Sequence, residues 1–87
     1  MKVEKPTEDI LKKLNVDAWP VWEKEVSTFD WAYSEKEVCY ILEGKAKVKA
    51  EDGDIIEFGV GDLVTFSSGL NCVWEIEENI KKYYKFG

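Results

Sequence analysis

Aromatic and polar residues alternate in the stretch from position 29 to position 33. Phe29, Trp31 and Tyr33 are separated by Asp30 and Ala32. Because the side chains of a β-strand point to alternate faces, the three rings fall on one face. We expect this face to point into the core.

A different pattern begins at Glu37. The next five residues, Val38 to Leu42, are apolar without interruption, which predicts a strand that is buried on both faces. An ionised carboxylate at the start of such a strand lies away from water, so it needs a counter-charge, a metal ion or a proton. Glu37 is therefore the first candidate for a functional side chain.

The stretch from Asn71 to Glu77 alternates again, and it puts Cys72 and Trp74 on an inward face. A closing strand of less certain register follows it. On that strand, Lys82 is the lysine best suited to point inward.

The residues before position 17 predict one short helix. Thr7 suits the N-cap, and acidic residues follow it in the first turn. Lys12 and Lys13 suit the last turn, where the helix dipole favours positive charge. We expect this helix to be an appendage that packs through one apolar side.

Short β-rich stretches fill the rest of the chain. Each ends at a turn signal, of which Asp52-Gly53 is a strong hairpin signal, and we expect strand breaks at Gly44 and at Glu78-Asn79. Seven or eight short strands without helices between them predict an all-β sandwich or barrel, and they exclude a parallel βαβ sheet.

Length and composition indicate one globular domain. The chain has 87 residues, 45% of them hydrophobic, with four Trp, four Tyr and four Phe. We assign residues 1–87 to a single domain, with 1–16 as an N-terminal helical extension and 17–87 as a β-barrel.

Charge and hydropathy exclude several kinds of partner. The net charge is −6 and the chain has no Arg, whereas a phosphate-binding surface needs clustered Lys and Arg, so we expect no nucleic acid partner. No apolar run is long enough to span a bilayer and the N-terminus lacks a secretory signal, so we expect a soluble cytoplasmic protein that binds no membrane. Because the N-terminus lacks a secretory signal, Cys39 and Cys72 are also expected to be reduced, buried thiols. The absence of Gln beside twelve Lys is a bias that is seen in heat-adapted proteins.

Several motifs together resemble the cupins, which are small jelly-roll β-barrels. They are Glu37 with six residues before Gly44, the Gly61-Asp62 turn, and Gly61 with seven residues before Gly69. A wider pattern is similar to the ureidoglycine aminohydrolase-like subgroup of cupins: Trp-x-x-Trp-Glu at 19–23, Phe-x-Trp-x-Tyr at 29–33, Glu-x-Cys-Tyr-Ile-Leu-Glu-Gly at 37–44 and Trp-Glu-x-x-Glu at 74–78. The resemblance covers residue 17 to the C-terminus and implies an all-β, antiparallel cupin jelly-roll β-barrel with one short N-terminal helix.

The resemblance also implies where a cupin metal site would lie. The family's two neighbouring histidines fall at Trp31 and Tyr33, its glutamate falls at Glu37, and its last ligand falls at Cys72. This chain has no histidine, and one carboxylate with one thiolate are fewer ligands than stable sites use. We expect no metal and no cofactor.

Two interpretations of Glu37 stay open. In the functional one, it is a general acid or base, or a hydrogen-bond acceptor for a ligand, in a pocket walled by Trp31, Tyr33 and Trp74. In the structural one, it bonds to the hydroxyl of Tyr33 or pairs with a lysine, and the rings are plain core.

Cys72 is the second candidate catalytic residue. A cysteine nucleophile needs a base or a cation that lowers its pKa, and Lys82 is the best placed lysine for that purpose.

Two functions from different classes follow. The first is a binding module whose aromatic pocket, formed by Trp31, Tyr33, Trp74 and Lys82, accepts a small metabolite that is amine-bearing or otherwise polar, because rings and a carboxylate favour a cation. The second is an enzyme of ureidoglycine aminohydrolase type, or another small-molecule hydrolase or isomerase, that acts through a metal or through Glu37. Whether the chain is an enzyme stays open.

We also expect a homodimer. Outward apolar residues would need to be covered by the helix or by a second subunit. The residues in question are Trp19, Trp22, Val38, Tyr40 and Leu42.

Overall fold

The protein is almost entirely antiparallel β-sheet. The structure, a computed structural model, describes residues 1–87. Its elements are β1 (Lys2–Glu4), α1 (Glu8–Leu14), a 3₁₀-helix (Val16–Ala18), β2 (Val21–Lys24), β3 (Ser27–Ala32), β4 (Glu37–Ala50), β5 (Ile55–Gly59), β6 (Leu63–Phe66) and β7 (Asn71–Phe86). The predicted all-β jelly-roll barrel with one short N-terminal helix is confirmed.

Two long strands form the spine of the fold. β4 and β7 pair from Glu37 opposite Phe86 to Ala50 opposite Cys72. β6 and β5 pair with the other edge of β4, and β2 and β3 pair with the other edge of β7. This arrangement brings residues that are far apart in sequence onto one inner surface.

The spine does not break where the sequence analysis expected breaks. Both β4 and β7 continue through Gly44 and Asn79, with shifts of register between Ile41 and Ala46. Gly44 has a φ of +93°, and a Cβ at this position would lie 2.2 Å from the backbone oxygen of Asn79. A glycine bulge bends a strand and increases its twist without ending its pairing, and for this reason the expected breaks at Gly44 and at Glu78-Asn79 were wrong.

The predicted helix is confirmed, but it does not hold the N-terminal residues against the sheet. Thr7 caps it, since its Oγ1 accepts a hydrogen bond from the backbone N–H of Ile10 at 3.3 Å. No residue of the helix is buried, and the side of Ile10 and Leu14 stays largely exposed. The segment is instead tied down by β1, which pairs with β6. Three residues are too few to show a strand pattern, so β1 could not be recognised in the sequence.

The core fills the inner face of the sheet. Its members alternate along the strands, as the pattern in the sequence predicts. The buried cluster consists of Tyr33, Cys39, Ile41, Ala46, Val48, Phe58, Val64, Phe66, Cys72, Trp74, Ile76 and Ile80. The run from Val38 to Leu42 was expected to be buried on both faces, whereas the structure buries one face and leaves the other half-buried.

The single α-helix has seven residues, and none of the helices is long and apolar enough to cross a bilayer.

Candidate functional site

A cavity of about 210 Å³ opens beside the aromatic core. Tyr33 and Trp74 in its lining are buried, whereas Trp31, which was expected to point into the core, is 45% exposed. Most of its lining is hydrophobic, with one acid and one lysine. The lining residues are Trp22, Phe29, Trp31, Tyr33, Glu37, Trp74, Lys82, Tyr84 and Phe86. Five of the six residues singled out from the sequence therefore meet here, and the sixth, Cys72, does not line the cavity.

The strand pairing explains why these residues meet. Trp74 lies opposite Phe29 in the β3–β7 ladder, and Glu37 lies opposite Phe86 in the β4–β7 ladder. Trp22 lies opposite Lys82 in the β2–β7 ladder. Since directly opposed residues of antiparallel strands share a face, each pair reaches the cavity from two strands at once.

Glu37 is paired with Lys82. The Lys82 Nζ lies 3.1 Å from the Glu37 Oε1, and the side chains of Lys82 and Glu37 are only 4% and 6% exposed. The second carboxylate oxygen, Oε2, makes no hydrogen bond within the protein, and part of its surface remains accessible to solvent. Of the interpretations that the sequence left open, the structure has the pairing with a lysine, but it leaves one oxygen of Glu37 facing the cavity.

The ammonium of Lys82 also contacts two indole rings. Its Nζ lies 4.8 Å from the ring centroid of Trp22 and 4.8 Å from that of Trp74. Both distances fall within the range of cation–π attraction. The carboxylate and the two rings together hold the charge of a lysine that is almost fully removed from water.

Tyr33 has a hydroxyl that is only partly used. Its oxygen accepts a hydrogen bond from the Trp74 Nε1–H at 3.2 Å, and its own hydrogen has no acceptor in the protein. Burial raises the pKa of the phenol, and the negative charge of Glu37 raises it further. Tyr33 is therefore a hydrogen-bond donor that stays protonated at neutral pH.

Trp74 organises the rings around the cavity. Its ring stacks on Phe29 at a centroid distance of 6.1 Å, and it meets the edges of Phe58 and Trp22 at 5.4 and 6.0 Å. Such pairs are stabilising at these distances, so the walls of the cavity are fixed by mutual packing.

Trp22 is a residue that the sequence analysis misplaced. It was expected on an outward face, whereas the structure packs it against the core and into the cavity lining. Its short strand, which follows Pro20, has too few residues to reveal which face is inward. Tyr84 and Phe86 were also missed, although they alternate with Lys82 and would have been found if the register of the closing strand had been known.

The two thiols are buried and unpaired. Burial raises the pKa of Cys39 to about 12, although the nearby Lys82 lowers it in part. Burial also raises the pKa of Cys72, and Glu37 raises it further. The Cys72 thiol donates a hydrogen bond to the backbone oxygen of Trp31 at 3.6 Å. Lys82 thus lowers the pKa of Cys39 and not that of Cys72. The catalytic role of Cys72 stays a prediction.

The raised pKa values of the buried thiols predict that the protein loses stability in alkaline solution. The pKa of Cys39 is 9.0 without the fold and about 12 within it, so unfolding releases a proton between these pH values. The free energy of unfolding should be level below pH 9 and should then fall by up to about 1.4 kcal/mol per pH unit for each such group. Urea titrations between pH 8 and 11 measure this slope, and Cys39→Ala should remove one group's share of it. An unchanged slope in that variant would contradict the assignment.

The residues at the expected metal positions do not fit a metal. Nowhere in the structure do three or more His, Cys, Asp or Glu side chains converge as a ligand set. The one carboxylate in the cavity, that of Glu37, is bonded to an ammonium, which repels a metal cation. Trp31 and Tyr33 offer an indole and a protonated phenol where histidines would be required.

Comparison with known proteins gives a consistent family. A family model described as the EutQ-like cupin domain matches residues 11–84. A crystal structure of a DUF861 family protein from Thermotoga maritima is 53% identical and superimposes with a TM-score of 0.97, covering 99% of this chain and 98% of that one.

More distant structures share the fold. The EutQ protein of Clostridium difficile is 20% identical with a TM-score of 0.69, over 76% of this chain and 52% of that one. A DUF861 family protein of unknown function from Pseudomonas syringae is 22% identical with a TM-score of 0.69, over 77% of this chain and 29% of that one. A comparison with curated proteins finds no match.

Proposed function

This chain belongs to the EutQ-like cupin family, and we propose that it binds a small polar molecule in the aromatic cavity, with Glu37 and Lys82 as the polar contacts. The rings of Trp31, Tyr33 and Trp74 would hold the body of that molecule. This arrangement matches the general character of small-molecule sites, which are concave, mostly apolar and provided with a few polar groups that fix orientation.

One observation carries the proposal. In the buried pair of Glu37 and Lys82, one carboxylate oxygen and two ammonium N–H groups make no hydrogen bond, although the ammonium contacts two indole rings, and the pair lies at the wall of a cavity. Removing two charges from water is costly, and a pair kept only for packing is replaced by apolar side chains with little loss. A buried pair with unused hydrogen-bonding capacity beside an open space is better explained by a ligand.

The tryptophans provide a direct test. Three of the four indoles line the cavity, and the fourth, Trp19, does not. When a mixture of polar metabolites is added to the ¹⁵N-labelled protein, the indole N–H signals of Trp22, Trp31 and Trp74 should shift while that of Trp19 stays in place. Shifts confined to Trp19, or none with a broad set of compounds, would contradict the proposal.

A second candidate function is an enzyme that acts through Glu37. The unused Oε2 of Glu37 faces a largely apolar space, where a carboxylate is a suitable general base. The resemblance to ureidoglycine aminohydrolase-like cupins supports a small-molecule hydrolase or isomerase. This candidate requires that a bound compound be turned over, and that Glu37→Gln keep the binding and lose the turnover.

A cytoplasmic homodimer remains part of the proposal. Val21 and Val26, which are 46% and 58% exposed, are apolar side chains that a second copy would cover. The residues first considered for this role contribute less, since Trp22 lines the cavity and Val38, Tyr40 and Leu42 are half-buried within one chain. Sedimentation velocity at high concentration tests the dimer, and a monomer there would rule it out.

A further inference from the structure

The charges in the cavity limit what its ligand can carry. Glu37 and Lys82 are the only ionisable side chains of opposite sign in the lining, and their charges cancel. A ligand with a net charge would bring an uncompensated charge into a space walled by rings, which is unfavourable. The electrostatics therefore favour a neutral molecule.

Cationic ligands are disfavoured by a second observation. The faces of Trp22 and Trp74 already contact the ammonium of Lys82, each at 4.8 Å. The ring of Phe29 lies 5.2 Å from the ammonium of Lys24. A cation that sought these rings would meet two lysine charges, so the amine-bearing metabolite considered from the sequence is not the ligand that the structure favours.

The unused polar atoms define the complementary groups of the ligand. Among the buried side chains of the lining, one acceptor makes no hydrogen bond in the protein, the Oε2 of Glu37, and donors remain in the hydroxyl of Tyr33 and in the ammonium of Lys82. A ligand that satisfies them needs an N–H and a carbonyl oxygen close together. An amide within a ring presents both on one edge, while its flat faces pack against aromatic walls.

The size of the cavity sets the remaining limit. Its volume of about 210 Å³ is below the roughly 300–1,000 Å³ of sites that enclose drug-sized ligands. The enclosed part has room for one small ring.

We propose that the ligand belongs to the class of neutral, planar, single-ring cyclic amides, with its N–H donating to Glu37 and its carbonyl oxygen accepting from Tyr33 or Lys82. This inference rests on the proposed function, since it names the class of molecule that the same cavity binds. It goes beyond that function because it predicts that cations and anions of equal size bind less well than the neutral cyclic amide.

Four ring compounds of similar size test the class. 2-Pyridone is a neutral cyclic amide, N-methyl-2-pyridone lacks its N–H, benzylammonium is a cation and benzoate is an anion. Titration followed at the indole signals of Trp22, Trp31 and Trp74 should give a Kd for 2-pyridone at least tenfold lower than for the other three. Tyr33→Phe should weaken 2-pyridone several-fold, whereas Tyr83→Phe, outside the cavity lining, should leave its Kd unchanged.

The other outcomes are distinct from one another. Tighter binding of benzylammonium or benzoate would overturn the ligand class and leave the cavity as a binding site. Equal binding of 2-pyridone and its N-methyl derivative would remove the role of Glu37 as acceptor and overturn the class as well. If none of the four compounds and none of the polar metabolites moves the three indole signals, both the class and the proposed function fail.

Discussion

Replacing Lys82 with methionine is expected to lower the free energy of unfolding by about 3–5 kcal/mol. The change leaves the carboxylate of Glu37, which is 6% exposed, without the ammonium that now lies 3.1 Å away. It also removes the attraction between that ammonium and the rings of Trp22 and Trp74. Chemical unfolding of the variant and of the parent protein at pH 7 measures the difference.

Two control variants separate the pair from general effects of the substitution. Lys85→Met changes an exposed lysine of the same strand and should alter stability by no more than about 0.5 kcal/mol. The double variant Glu37→Gln with Lys82→Met removes both charges and should recover most of the loss. If Lys82→Met is no more harmful than Lys85→Met, the buried pair does not have the importance assigned to it.

Replacing Gly44 with alanine is the second change with a large expected effect, a loss of about 3–5 kcal/mol. The new Cβ would lie 2.2 Å from the backbone oxygen of Asn79 and 2.8 Å from that of Glu78, and neither backbone can move without disturbing the β4–β7 pairing. Overpacking of this kind usually costs roughly 1–3 kcal/mol and here, against rigid backbone, should cost about 2–4 kcal/mol, which adds to the roughly 1 kcal/mol cost of a positive φ.

Gly53 provides a matched control for this change. Its φ of +95° is close to the +93° of Gly44, but a Cβ there would meet nothing within 4 Å. Gly53→Ala therefore carries the backbone strain alone and should destabilise the protein by about 1 kcal/mol. Thermal unfolding of both variants tests the comparison, and equal losses would show that the contact with Asn79 is not limiting.

Much of the fold and part of the site could be predicted from local patterns. The alternation of Phe29, Trp31 and Tyr33 gave their shared face, and the position of Glu37 before an apolar run marked it as a buried acid. Both inferences need only the period of a strand and the cost of burying charge. The structure brings these residues to one cavity.

What could not be predicted depends on pairing between distant strands. Glu37 and Lys82 are 45 positions apart, and no local pattern specifies which lysine meets the acid. The same limit explains why Lys82 was linked to Cys72 and why Trp22 was turned outward. It also explains why β4 was divided at Gly44 and β7 at Glu78-Asn79. Each of these depends on the register of a ladder, and a shift of one residue reverses the face of every side chain.

The long β4–β7 ladder also affects how the chain acquires its shape during synthesis. Glu37 emerges early, but its partners Lys82 and Phe86 belong to the strand that is made after all the others described. Pairings of this separation close slowly, because the chain loses freedom before the contacts form. Since β2, β3 and β4 all pair with β7, we expect the core and the cavity to form only after this strand has been made.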